Sequence, residues 1–387
     1  MAIQKLLLAL ACVIQPIISH AIPSQEKRYG PADAISTVEL PYIREYFYSG
    51  GKYADDGSGE GTHIFKEQMY VEQLTPRTGT IKKYPVVLIH GAAQSGTNWL
   101  NKPDGGRGWA SAFLEQGYTV YIVDQTLRGR SPWQPDNGTM ITISAEQAEK
   151  QFTAVQDYNL WPQAKFHTQW PGSGRIGDPI FDTFYATQMQ YLNQTPYQQS
   201  TIQNAGAALL DRIGKPVILF GHSQAGPYPL LIADKRPHLV RAIVGLEPSG
   251  PPFKDAIFDT NPARVWGVSD IPFTYDPPIT DPSQLVKVEH PAPSSDFVPC
   301  ILQAESPPPR KLINLVDIPI IVLTTQASYH STYDYCTVEY WKQAGIKDVT
   351  HLELAKVGIK GNAHMVFMEK NSDVVQAEIE RRISKFE

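Results

Sequence analysis

Val217-Ile218-Leu219-Phe220-Gly221-His222-Ser223-Gln224-Ala225-Gly226 is the stretch from which the rest of the chain is read. Four apolar residues follow Pro216 and predict a fully buried strand. The run Pro227-Tyr228-Pro229-Leu230-Leu231-Ile232-Ala233-Asp234 beyond them predicts a helix entry. Between the two, a serine sits in a turn flanked by small residues. This is the strand–turn–helix setting of a nucleophile elbow, in which the hydroxyl projects and the next backbone N–H faces the substrate oxygen. Gly221 and Ala225 are small because strand and helix must pass close together there. The strict pattern has glycine where this chain has Ala225, with Gly226 following.

The chain has 387 residues, 42% hydrophobic, with a net charge of −5. It can bury a large core, and its charge is too small and of the wrong sign for nucleic acid. Lys5 precedes the apolar run Leu6–Ile14, followed by Pro16 and the small-residue site Ser19-His20-Ala21. Charge, length and cleavage pattern predict a secretory signal peptide over residues 1–21. A membrane span needs about 20 apolar residues, and this run ends too early. Glu26-Lys27-Arg28 offers a dibasic site whose cleavage would remove a propeptide of residues 22–28, leaving residues 29–387. Cys12 leaves with the signal, so Cys300 and Cys336 are expected to pair in an oxidising compartment. Asn137-Gly138-Thr139 and Asn193-Gln194-Thr195 are glycosylation sequons that suit the same compartment.

Tyr42–Ser49 and Phe65–Leu74 predict two antiparallel strands separated by a Gly/Asp-rich loop over Gly50–Gly61. Short buried strands follow at Pro85–Ile89, Thr119–Val123, the elbow strand, Val240–Leu246 and Pro319–Thr324. Helical patterns lie between most of them, and Val374–Lys385 makes a final helix. This alternation predicts an α/β fold with a mostly parallel central sheet flanked by helices. Ligands of such sheets bind beyond the carboxyl ends of the strands. There lie His90-Gly91-Ala92-Ala93, Asp124 with Arg128-Gly129-Arg130-Ser131, Ser223 and Glu247. Two stretches exceed a minimal sheet. Residues 131–200 are rich in aromatics and predict a helical insertion. Residues 248–312 hold 14 of the 32 prolines and predict an irregular one.

From the elbow outward the chain resembles the α/β-hydrolase fold superfamily, and within it secreted serine esterases with a Ser–Glu–His triad. The resemblance spans roughly Pro85 to the C-terminus, with the two insertions as departures. The motifs follow the superfamily's chain order of nucleophile, acid and histidine. It implies Ser223 as nucleophile and His364, in Gly361-Asn362-Ala363-His364-Met365, as base, with His330 as runner-up. For the acid it implies Glu247, 24 positions after the serine, or alternatively Asp334 after the next strand. A buried carboxylate in Leu246-Glu247-Pro248 is costly unless paired, which favours Glu247. The oxyanion hole would take the N–H of Gln224 and that of Ala92 or Ala93. His222 is expected to pack beneath the elbow.

The expectation is a secreted hydrolase that cleaves small-molecule carboxylic esters through an acyl-enzyme, with apolar or aromatic esters or lactones suited to the aromatic insertion. The same triad could instead run acyl transfer or lyase-like chemistry in a natural-product pathway. A non-catalytic ligand-binding protein would more simply have lost a triad residue. No histidine pair has metal-ligand spacing and no glycine-rich nucleotide motif follows a strand, so neither a metal nor a cofactor is implied.

Overall fold

The computed structural model describes residues 39–134 and 137–387. The signal segment, the dibasic site and Cys12 lie outside the described residues. The strands of the central sheet are β1 (Tyr42–Asp55), β2 (His63–Pro76), β3 (Val86–Ile89), β4 (Val120–Asp124), β5 (Val217–His222), β6 (Val240–Leu246), β7 (Ile320–Thr324) and β8 (Val349–Glu353). Among the described residues these form one eight-stranded sheet in the order β1-β2-β4-β3-β5-β6-β7-β8. β1 and β2 pair antiparallel with each other, and β2 antiparallel with β4. From β4 to β8 every pairing is parallel.

Side chains alternate across each strand, so the sheet splits the core into two layers. Val217 and Leu219 enter one layer with Val87, Ile89 and Ile243. Ile218 and Phe220 enter the other with Leu88, Ile122 and Val244. Because both faces are covered, the central strands read as continuous apolar runs. The main helices are α1 (Trp109–Glu115), α2 (Thr195–Ile213), α3 (Pro227–Lys235), α4 (Asp334–Gln343) and α5 (Ser372–Ile383). α2 starts with Pro196 in its first turn and stops at Gly214, which takes a left-handed φ of 70°. Among the described residues no helix is long and apolar enough to cross a membrane.

Two local features differ from the sequence reading. β1 runs through Gly50 and Gly51 to Asp55, so the loop shrinks to residues 56–62. At Gly50 the strand needs both a φ of 67° and the missing side chain, since a Cβ would lie 2.7 Å from the Ala205 backbone. β8 carries no apolar run that would announce it: along Val349–Glu353 only Leu352 is fully buried. The aromatic stretch from about 131 leads into α2, which begins at Thr195.

That stretch contains short helical pieces at Ala145–Ala148, Val155–Tyr158 and Pro179–Tyr185, with a π-helical turn over Glu149–Thr153. Met140–Ile141 pairs with Tyr191–Leu192, where Asn193 is exposed and its Oδ1 accepts the Thr139 N–H. The proline-rich stretch is held by a disulfide from Cys300 to Cys336 of α4, with Cα atoms 5.2 Å apart. Closing a loop of 36 positions contributes about 3–4 kcal/mol by chain entropy.

Candidate active site

Ser223 directly follows β5 and takes a φ of 55°, a left-handed backbone that an L-residue adopts only under constraint. The constraint is close packing. A Cβ on Gly221 would lie 2.7 Å from the Ala225 carbonyl, and one on Gly226 would lie 2.6 Å from the Ser249 nitrogen. The segment after β6 is stitched to the elbow: Ser249 donates to the Ser223 carbonyl through both N–H and hydroxyl, each at 2.9 Å. Ser223 and Gln224 are half-buried, while His222 and Ala225 are buried.

Glu247 follows β6, and its carboxylate Oε2 accepts from Nδ1 of His364 at 2.7 Å. Its Oε1 accepts the Thr325 N–H at 2.8 Å and the Thr325 hydroxyl at 2.6 Å. Burial raises the Glu247 pKa, but the His364 bond, the charges of His330 and His364 and the Thr325 hydroxyl outweigh it and hold it at about 2. Burial lowers the pKa of His364 below its usual 6.5, opposed by its bond to Glu247 and assisted by His330. At neutral pH the pair is therefore a carboxylate and a neutral imidazole protonated on Nδ1. Nε2 is left as the acceptor, and it meets the Tyr329 hydroxyl at 3.3 Å. Tyr329 and Ser223 line the same pocket. Among the described residues, Ser223 makes no hydrogen bond to His364 in this arrangement. His222 lies beneath, as expected: its Nε2 donates to the His364 carbonyl at 3.1 Å.

Asp334, the alternative acid, is brought near but bonds a different histidine. Its Oδ1 accepts from Nδ1 of His330 at 2.8 Å, and its Oδ2 accepts from Thr324 at 2.7 Å. His330 Nε2 faces the Tyr333 hydroxyl at 3.2 Å. Glu247, His330 and His364 put potential ligand atoms within 4.8 Å of one another. The Nδ1 atoms of both histidines are already bound to carboxylates, so the cluster reads as a hydrogen-bond network.

β3 leads into His90, Gly91, Ala92 and Ala93. A Cβ on Gly91 would lie 2.8 Å from His222 Nδ1 and 3.1 Å from Ser223 Cβ, so only glycine lets this loop lie on the elbow. His90 Nε2 accepts the Gln125 N–H at 3.1 Å, which leaves the proton on Nδ1 to donate to the Gly91 carbonyl at 2.9 Å. Burial, followed by the nearby Arg128 charge, pushes the His90 pKa down to about 3 and keeps it neutral. Ala92 is half-buried; Ala93 is buried, has a φ of 56°, and its carbonyl accepts the Met189 N–H at 2.8 Å. Gln224 is the second residue of the helical turn that starts at Ser223, where the first N–H groups lack intrahelical acceptors.

A pocket of about 260 Å³ opens on Ser223, walled by Ser249, Phe258, Arg264, Tyr329 and Tyr333 among others. The proline-rich stretch therefore supplies most of this wall, contrary to the expectation that the aromatic stretch would form it. The aromatic stretch acts from behind. Phe152 stacks on His364 with centroids 5.3 Å apart, and the Trp161 indole N–H donates to the Ala327 carbonyl at 2.9 Å. Asp255 and Asp259 add carboxylates to the wall, making it less apolar than expected. Thr325, Tyr329 and Arg128 were given no role by the sequence reading. For Arg128 the available signal was a cation just beyond the carboxyl end of β4.

Residues 86–377 match the model of the alpha/beta hydrolase family. The chain is 47% identical over 331 residues to a probable secreted lipase from a fungal species (strain ATCC 74256), covering 85% of this chain and 86% of that one. Its fold is similar to that of a novel bacterial esterase solved at atomic resolution, with a TM-score of 0.58 and 20% identity over 92% of this chain and 98% of that one. With a family match across most of its length and a relative 47% identical over 85% of it, the chain belongs to the alpha/beta hydrolase family.

Proposed function

We propose that the chain is a secreted serine hydrolase that cleaves carboxylic esters through an acyl-enzyme on Ser223. The observation that carries this reading is the buried 2.7 Å bond from His364 Nδ1 to Glu247, set beside a serine held in a left-handed turn. Once Tyr329 yields His364 Nε2, the imidazole takes the Ser223 proton as the hydroxyl attacks the ester carbonyl. The tetrahedral oxygen is received by the N–H groups of Gln224 and Ala92. Collapse expels the alcohol, protonated by His364, and leaves the acyl group on Ser223. Water, deprotonated by the same imidazole, then releases the acid. Glu247 stays ionised throughout, holding the tautomer and stabilising the imidazolium.

The likeness to a protein named as a secreted lipase supports secretion and an ester of lipid type. The pocket wall, with Phe258 and Tyr333 beside Asp255 and Arg264, favours an ester carrying both an apolar and a polar portion. The test is turnover of p-nitrophenyl esters of graded acyl length by the purified protein, beside Ser223→Ala. Turnover that vanishes in the variant is expected, with a maximum at an acyl length the pocket accommodates. A folded wild type that hydrolyses none of the series, or an equally active Ser223→Ala, would overturn the reading.

A further inference from the structure

Arg128 is a fully buried guanidinium with no carboxylate ion-pair partner among the described residues. The acid closest to it in sequence, Asp124, is taken by Arg130 at 2.9 Å and by the Gly96 N–H at 2.8 Å. Leaving a cation in the interior without a counter-charge is costly, and one of its nitrogens, Nε, has no acceptor. The side chain makes two polar contacts, each at 2.9 Å. Nη1 donates to the Gly91 carbonyl and Nη2 to the Gln224 side-chain Oε1. Tyr191, from the aromatic stretch, covers it with its ring centroid 5.3 Å away.

We propose that Arg128 is the positioning residue of the oxyanion hole, with one guanidinium fixing both peptide donors and lending them its charge. This rests on the reading above, in which Ser223 is the nucleophile and the N–H groups of Ala92 and Gln224 receive the oxyanion.

The geometry follows from the peptide unit. In a trans peptide the C=O of Gly91 and the N–H of Ala92 point in opposite directions. Two donors, Arg128 Nη1 and His90 Nδ1, hold that carbonyl, so the Ala92 N–H is fixed on the other side. The second donor belongs to Gln224, whose side chain is tethered by the other arm of the same fork. A guanidinium presents its donors in one rigid plane, whereas a lysine ammonium is a point charge that cannot hold both at fixed separation. Burial lowers the Arg128 pKa to about 10, which still leaves it charged at neutral pH. A fixed positive charge behind these donors favours the oxygen more strongly as it becomes negative.

The test uses the full secreted chain with Arg128→Lys, Arg128→Met and Gln224→Met, each normalised by active-site titration with an organophosphonate. Inhibition by a trifluoromethyl ketone, which forms a tetrahedral oxyanion adduct on serine, is measured in parallel. Losing one oxyanion donor outright costs about 10²–10³-fold in kcat, so a misplaced pair should cost ~10–100-fold in Arg128→Lys and more in Arg128→Met. KM should move little, and ketone affinity should fall in step with kcat/KM. Gln224→Met leaves the cation in place and covers the case in which the Arg128 variants do not fold. It should lower kcat and ketone affinity together, by less than Arg128→Lys. Turnover per titrated site near wild type in the variants that fold, or lost turnover with unchanged ketone affinity, would reduce Arg128 to a structural staple. A wild type that is neither titrated nor inhibited would overturn the Ser223 reading itself, and the role of Arg128 with it.

Discussion

The imidazoles of His330 and His364 lie parallel, their centroids 4.9 Å apart and their planes at 6°, yet each is held by a different carboxylate. His364 takes Glu247, from the strand next to the elbow. His330 takes Asp334, four residues further along its own segment. Two acid–histidine pairs therefore stand side by side at one pocket: Nε2 of His364 meets the Tyr329 hydroxyl and Nε2 of His330 the Tyr333 hydroxyl, and both tyrosines wall the pocket that opens on Ser223.

Glu247→Gln should abolish most turnover for a specific reason. Thr325 presents two donors to Oε1, so the amide oxygen of the replacement must face Thr325 and its NH₂ must face His364. His364 Nδ1 then becomes an acceptor, the proton moves to Nε2, and the base is lost. A loss of about 10⁴-fold in kcat is expected, the size seen when a triad acid is neutralised. Asp334→Asn should instead lower stability by about 1–3 kcal/mol, since it disturbs a buried network, and leave turnover per titrated site within about tenfold. Steady-state kinetics and urea unfolding on both variants check this, and the opposite ranking would move the acid to Asp334.

The pH profile follows from the same pair. Burial places the His364 pKa below 6.5, and the proposed base acts only when unprotonated. Protonation on the acid side removes it, so kcat/KM should rise with pH through a single limb whose midpoint lies below 6.5, then level off. Glu247, held at about 2, should add no second limb in the mildly acidic range. Initial rates across that range with a non-ionising ester check it; a midpoint above 7 would contradict the assignment.

Tyr329 occupies the acceptor that Ser223 needs. A neutral hydrogen bond of this kind is worth about 0.5–1.5 kcal/mol net. Tyr329→Phe should therefore speed acylation by roughly 2–10-fold, as read by the rate of organophosphonate labelling. A loss of more than about tenfold would give the hydroxyl a part in the reaction instead.

Much of this was legible in the chain itself, and for a physical reason. Strands buried on both faces leave long apolar runs, so β3 to β7 could be placed, and a nucleophile must follow such a strand at a turn of small residues. The misses have physical causes too. β8 has a mostly half-buried pattern that leaves no apolar run. The pocket wall depends on how the proline-rich stretch folds back, and that is set by distant contacts. The pairing of Asp334 with His330 depends on side-chain direction, which spacing does not report. Arg128 stands out in the chain only as one of several polar residues beyond the carboxyl end of β4, because nothing in its neighbours reveals that Tyr191 and Gln224 would enclose it.

The departure at Ala225 shows which small residue the elbow cannot give up. Gly226 has a φ of −47°, which any residue adopts, so its constraint is space alone. An added Cβ would lie 2.6 Å from the Ser249 nitrogen and 2.7 Å from Pro248 Cβ, and these two residues directly follow Glu247. Gly226→Ala must push that segment away, loosening the two Ser249 bonds to the Ser223 carbonyl and shifting the carboxylate. Overpacking of this kind costs about 1–3 kcal/mol. A displacement of about 1 Å at the reacting groups can cost on the order of 10²-fold in turnover. Ala225→Gly, in contrast, removes one buried methyl and should cost about 1 kcal/mol with turnover nearly unchanged. Thermal unfolding and kinetics per titrated site distinguish the two; equal tolerance at both positions would mean that the segment after β6 is not what holds Glu247 against the elbow.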